Sequence, residues 1–149
     1  MTFKQKIFKH YSSQLQGKID ELQSKMDELA ESLKNETKST AGDKHETSRA
    51  FVHIEQAQTG SQLTELLEQK ASLTAISIDT ISEKVIKGSL VKTDNAYFFI
   101  SIAQGKIIVD GKTVFALSPV SPLGKKMMGA SVGDELEMNG KIYKVDEIS

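Results

Sequence analysis

The chain has 149 residues, enough for one ordinary domain or two small ones and too few for an elaborate multidomain enzyme. Charged residues are 26% and hydrophobic residues 38%, near globular averages, but aromatics are only 6% and Trp is absent, which predicts an elongated part with little core. The 19 Lys and Arg against 20 Asp and Glu leave a net charge of -1, so any attraction to nucleic acid or an anionic membrane has to be local. The absence of Cys excludes disulfides, thiolate zinc sites and thiol nucleophiles. No apolar stretch approaches the roughly 18 residues needed to cross a bilayer, which predicts a cytoplasmic protein without a membrane partner.

From residue 3 to about 36 there is no Pro and one Gly, and Leu15, Ile19, Leu22, Met26, Leu29 and Leu33 recur at alternating spacings of four and three. That is a heptad seam on an otherwise polar helix, a stripe for one partner helix to cover. Residues 35–42, Asn-Glu-Thr-Lys-Ser-Thr-Ala-Gly, lose the seam and gather turn formers, so the helix breaks there. A second helix follows to about Leu73. Its apolar positions, Phe51, Ile54, Ala57, Leu63, Leu66, Leu67 and Leu73, are less regular, and Gly60 predicts fraying or a bend. Helices of about 30 residues rising about 1.5 Å each make an antiparallel coiled-coil hairpin some 45 to 50 Å long, with its turn near 37–46.

Beyond Ile76 the pattern changes to short β-rich runs at 85–93, 96–102, 106–109, 113–116, 135–138 and 141–148. Asp94-Asn95, Asp110-Gly111 and Asn139-Gly140 suit tight hairpin turns, because Asn, Asp and Gly tolerate positive φ at low cost. One short helix interrupts the strands at 122–128, with Ser121 as its cap, Pro122 in its first turn and Gly129 at its exit. The predicted class is α+β, with a helical hairpin over 1–76 and a small β-rich domain over 77–149.

The residues with the most chemistry stand in Gly42-Asp43-Lys44-His45-Glu46, where two carboxylates three positions apart open the second helix. Asp followed at the third position by Glu is a variant capping box that satisfies free backbone N–H groups. The same pair can help hold Mg2+, which commonly takes one or two protein carboxylates and completes its octahedron with water and phosphate oxygens. Two are too few to bind the ion tightly alone, so the catalytic reading of Asp43 and Glu46 requires a partner that supplies further ligands and a phosphodiester. His45 could meet phosphate or stand solvated, and Lys34, Lys38, Lys44 and Arg49 could steer phosphate or simply pair along the helices.

Asp43-x-x-Glu46 at a hairpin turn, together with Ser121-Pro122-Leu123, Met127-Met128-Gly129 and Gly133-Asp134, resembles the bacterial Gre transcript-cleavage factors over nearly the whole chain. The resemblance implies an FKBP-like C-terminal domain used for docking on the core RNA polymerase, and a monomer whose hairpin enters the secondary channel. It implies that Asp43 and Glu46 help hold a Mg2+ shared with the polymerase, next to the nascent RNA 3′ end, so that the polymerase cuts its own backtracked transcript. Ser121, Pro122 and Leu123 would lie at the docking contact. The chain would then be an accessory factor and not itself an enzyme. Where Gre tips continue from the Glu with Asn-Ala-Glu-Tyr, this chain has Thr47-Ser48-Arg49-Ala50, one acid and one aromatic fewer. That departure leaves open a channel-binding regulator without cleavage activity. A prolyl isomerase of FKBP type is a further alternative, set against the missing Trp and against Tyr97, Phe98, Phe99, Phe115 and Tyr143 serving as core. A coiled-coil adaptor pairing between chains is set against the turn at 35–42.

Overall fold

The computed structural model describes residues 1–36 and 42–149, and for residues 36 and 42–46 the backbone alone. Two long helices, α1 (Phe3–Glu36) and α2 (Gly42–Thr74), form an N-terminal hairpin, and seven strands and one short helix follow. The fold is α+β. The chain divides into two compact units, residues 13–70 and residues 1–12 with 71–149.

Within residues 13–70 the seam of α1 is as the periodicity requires: Leu15 and Ile19 are buried, and Leu22, Met26, Leu29 and Leu33 are half-buried. The covered face of α2 follows a register different from the one its apolar residues suggest. Val52, Gln56, Thr59, Leu63 and Leu66 turn inward, whereas Phe51, Ile54, Ala57 and Leu67 are exposed. Two polar residues therefore occupy seam positions, and Thr59 is only 2% exposed. Lys25 reaches across to Glu55 at 3.7 Å, a pairing of exposed side chains that contributes little on its own. The expected fraying at Gly60 does not occur, since α2 runs through it as regular helix. A Cβ there would stand 3.9 Å from the Met26 methyl group, an ordinary contact, so packing does not require a glycine at this position.

In the other unit a five-stranded sheet has the order β3-β4-β2-β1-β7, and β5 and β6 form a separate ribbon. The strands are β1 (Leu90–Lys92), β2 (Tyr97–Ile100), β3 (Gly105–Val109), β4 (Lys112–Leu117), β5 (Glu135–Met138), β6 (Lys141–Lys144) and β7 (Glu147–Ile148). All neighbours are antiparallel except β2 and β4, which run parallel with Phe98 beside Phe115. The Asp110-Gly111 and Asn139-Gly140 turns have positive φ at both residues, as their composition predicts.

Two of the expected strands are shorter than their apolar runs. Val85 pairs with the backbone of Gly129 and Ala130, and residues 86–89 form a turn, because Gly88 has a φ of 98° and Ser89 closes back on Ile86 through its N–H and its hydroxyl. The run 141–148 divides at Val145, whose N–H bonds to the Asp134 carbonyl while its own carbonyl accepts from Gly133. Lys141–Lys144 thus pairs with β5 and Glu147–Ile148 pairs with β1.

Period-two alternation splits the core between the two faces of the sheet. One face carries Val91, Phe98 and Ile100, packed with Val85, Met127, Ala130 and Val145. On the other, Phe99 stacks on Tyr11 at 6.3 Å between ring centroids. The Tyr11 hydroxyl donates to the Gly105 carbonyl at 2.7 Å, with the Val114 carbonyl at 3.3 Å, so the buried phenol is satisfied. Burial pushes its pKa upward. This contact ties the first turns of α1 to the sheet.

Candidate functional site

Asp43 and Glu46 stand in the first turn and a half of α2, which begins at Gly42. Their side chains, with those of Lys44 and His45, lie outside the described residues, as does Lys38. The metal-binding and capping readings of the pair therefore remain expectations from sequence. Of the next residues, Thr47, Ser48 and Ala50 are exposed and Arg49 is half-buried. Among the described residues no three imidazole or acidic side chains converge as a metal site would require.

The segment expected to dock, residues 121–123 and the short helix they open, lies wholly within the described residues. Helix α3 (Pro122–Met127) is capped by Ser121, whose Oγ accepts from the Gly124 N–H at 3.1 Å and donates to the Ser118 carbonyl at 2.7 Å. Pro122 is exposed, and Leu123 is half-buried against the core. Met127 is wholly buried. Gly129 and Gly133 have φ of 81° and 94°, and the Asp134 carboxylate accepts from the Ser131 N–H at 2.8 Å. Much of the signature that singled out this segment thus has a structural task. Its exposed side chains include Pro122, Lys125, Met128 and the neighbouring Val120, which is 73% exposed.

Two cavities in this unit were not legible in the sequence. Phe98, Phe115 and Tyr143, expected as core, also line a cavity of about 210 Å³ with Leu123 and Lys141. Phe98 stacks on Phe115 at 5.5 Å and meets Tyr143 edge-on at 5.7 Å. A second cavity, of about 420 Å³, is lined by Phe3, Lys4, Ile78, Ile81, Leu90 and Tyr97 among others. Lys4 is 8% exposed, and no group of the described residues lies within hydrogen-bond reach of its amine. Burial lowers its pKa, and the charge of Asp79 partly offsets that shift. Nothing in the sequence separates Lys4 from Lys6 and Lys9, because tertiary packing alone buries it.

No protein-family profile matches the chain, and no curated protein does. The solved structure of the transcription factor Gfh1 is similar to it at 17% sequence identity over 92% of each chain, with a TM-score of 0.39. No helix among the described residues is long and apolar enough to cross a membrane.

Proposed function

We propose that this chain is a transcription elongation factor that docks on RNA polymerase and inserts its hairpin into the secondary channel, where Asp43 and Glu46 assist Mg2+-dependent cleavage of backtracked RNA. The observation that carries the reading is the place of the acidic pair: Asp43-x-x-Glu46 opens the second helix of a hairpin whose helices are 34 and 33 residues long. Helices of that length extend about 50 Å, which a helix cap does not require and which delivery of carboxylates into another molecule's active site does. Two carboxylates suit Mg2+ only as part of a ligand set, so the polymerase and the RNA phosphates supply the remainder. The ion would contribute charge stabilisation at the attacking and leaving oxygens. Pro122, with Val120 beside it, would contact the polymerase.

The test uses stalled, backtracked polymerase and the full chain. Wild type is expected to co-purify with core polymerase and to accelerate cleavage in Mg2+. Asp43→Asn and Glu46→Gln, which keep helix-capping ability, should bind equally and lose about 10- to 100-fold of the stimulation, the usual loss when a metal site is weakened. Equal stimulation by both neutral variants would reduce the pair to a cap. Binding without stimulation by wild type would favour the second reading, a channel-binding regulator, for which the Thr47-Ser48-Arg49-Ala50 segment is the specific observation. Failure to bind polymerase would overturn both.

A further inference from the structure

We propose that the outward face of α2 around Phe51 and Ile54 is an interaction surface, seated against an uncharged, apolar wall of the polymerase secondary channel; this rests on the polymerase reading above. Val52, Gln56, Thr59 and Leu63 follow the spacing that faces α1, so the opposite side of the same turns carries Ala50, Phe51, Ile54, Ala57 and Gln58. All five are exposed, Phe51 to 68% and Ile54 to 56%. Two large apolar side chains one turn apart form a patch that folding leaves in water, which is the mark of a surface with a partner.

Charge decides the kind of partner. Between residues 47 and 64 the exposed side of α2 has one acid or base besides His53, namely Glu55, and that carboxylate reaches Lys25 of α1 at 3.7 Å. Arg49 is half-buried and, by its spacing, belongs to the inward line of Val52 and Gln56. On α1, residues 18–34 expose eight acids and bases. The two helices thus differ, α1 turning a solvated, charged face outward and α2 an uncharged one. Interface cores are depleted of charged residues, and a phosphate backbone needs cations to neutralise it, so the α2 face fits protein and not RNA.

Position and size decide which protein. Phe51 and Ile54 follow Glu46 by five and eight residues, about 8 and 12 Å along a helix. Carboxylates carried into another molecule's active site leave the next two turns of their helix inside the same molecule, which puts this face against the wall of the passage. A patch built on two large side chains falls well short of the roughly 20 to 30 residues that each side of a stable interface supplies, so it does not hold a second copy alone. It is enough where another contact, proposed above at Val120 and Pro122, already holds the partner.

The test places the photo-crosslinker p-benzoylphenylalanine at position 51, or at position 31, where Glu31 stands opposite the seam of α1, and irradiates each full chain with purified core polymerase stalled on backtracked RNA. Position 51 is expected to cross-link to a polymerase subunit, and position 31 to do so far less. Phe51→Ser with Ile54→Ser should fold as wild type does, since both residues are exposed. It should weaken the complex about tenfold, the usual loss on truncating an apolar anchor, and too little to prevent co-purification at micromolar concentration. Phe51→Leu with Ile54→Leu keeps the surface apolar and should stay within about threefold of wild type. If wild type binds polymerase but the two positions cross-link equally, or the serine pair binds with unchanged affinity, the α2 surface is overturned and the polymerase reading stands. Cross-links from position 51 mainly to RNA or to a second copy would do the same. Failure of wild type to bind polymerase would overturn the reading and this surface with it. If the serine pair does not fold, the cross-linking decides alone.

Discussion

At the scale of single residues, the tightest constraint in the β-rich unit falls on Gly124. A Cβ on it would lie 2.0 Å from the Ser118 carbonyl oxygen and 2.7 Å from Ser121 Oγ. The first of these is backbone, fixed because it also accepts from the Ser121 N–H and hydroxyl, so it cannot give way as a flexible side chain would. Gly129 differs: its φ of 81° disfavours a side chain, but no atom stands within 4 Å of the added carbon. Gly124→Ala should therefore cost about 3 kcal/mol, the upper end for overpacking, and Gly129→Ala about 1 kcal/mol, the cost of a left-handed backbone. Urea midpoints at constant slope measure both, and the reverse order would show that the Ser118-Ser121 turn shifts freely. Gly129 was legible in the sequence as a helix exit. Gly124 was not, because a close approach between a helix and the turn before it leaves no local signal. The same distinction separates Ser121, readable as a cap, from Lys4, whose burial is decided by the packing of α1 against residues remote in sequence.

At the scale of elements, α1 could be read from spacing alone and α2 could not. Every seam position of α1 from Leu15 to Leu33 is apolar, so the heptad stands out. In α2 the inward line passes through Gln56 and Thr59, while Phe51 and Ile54 lie off it and are 68% and 56% exposed. Hydrophobicity then points to the wrong residues, because the partner α1 sets the register, and the seam accepts a half-buried Gln56 and a small buried Thr59. The register has a direct test. Val52→Asp should lower stability by about 2 kcal/mol, since it places a charge against α1, and Phe51→Asp should change it by less than about 0.5 kcal/mol although Phe is much the larger side chain. Thermal melts followed by circular dichroism distinguish them. A larger loss from Phe51→Asp would restore the register that hydrophobicity suggests. The strands show a related limit: turns at 110–111 and 139–140 were legible from residue type, but an apolar run does not reveal that Val145 ends one pairing so that β7 can begin another.

For the molecule as a whole, the reach of the hairpin matters to the proposed function as much as the two acids do. Carboxylates help hold an ion only when they arrive within ångströms of it, and misplacement by about 1 Å can cost about 100-fold in rate. Removing residues 22–28 from α1 and 57–63 from α2 takes out one heptad from each helix. Leu29 then follows Ile19 at the spacing Leu22 had, and Leu66 follows Gln56 at the spacing of Thr59, so both seams stay in register. The shortened hairpin loses about 10 Å of length at 1.5 Å per residue, and nothing is changed at Asp43, Glu46, Val120 or Pro122. The burial of Leu22, Met26 and Leu63 is lost, but Leu66 replaces the buried Thr59 and the helix-weakening Gly60 is gone, so the variant is expected to fold. The variant should therefore co-purify with polymerase as wild type does and lose about 100-fold or more of the stimulated cleavage, a larger loss than either neutralising substitution produces. Cleavage retained by a folded, polymerase-bound variant would mean that the length of the rod does not place the acidic pair, and the delivery of carboxylates by the hairpin would have to be abandoned.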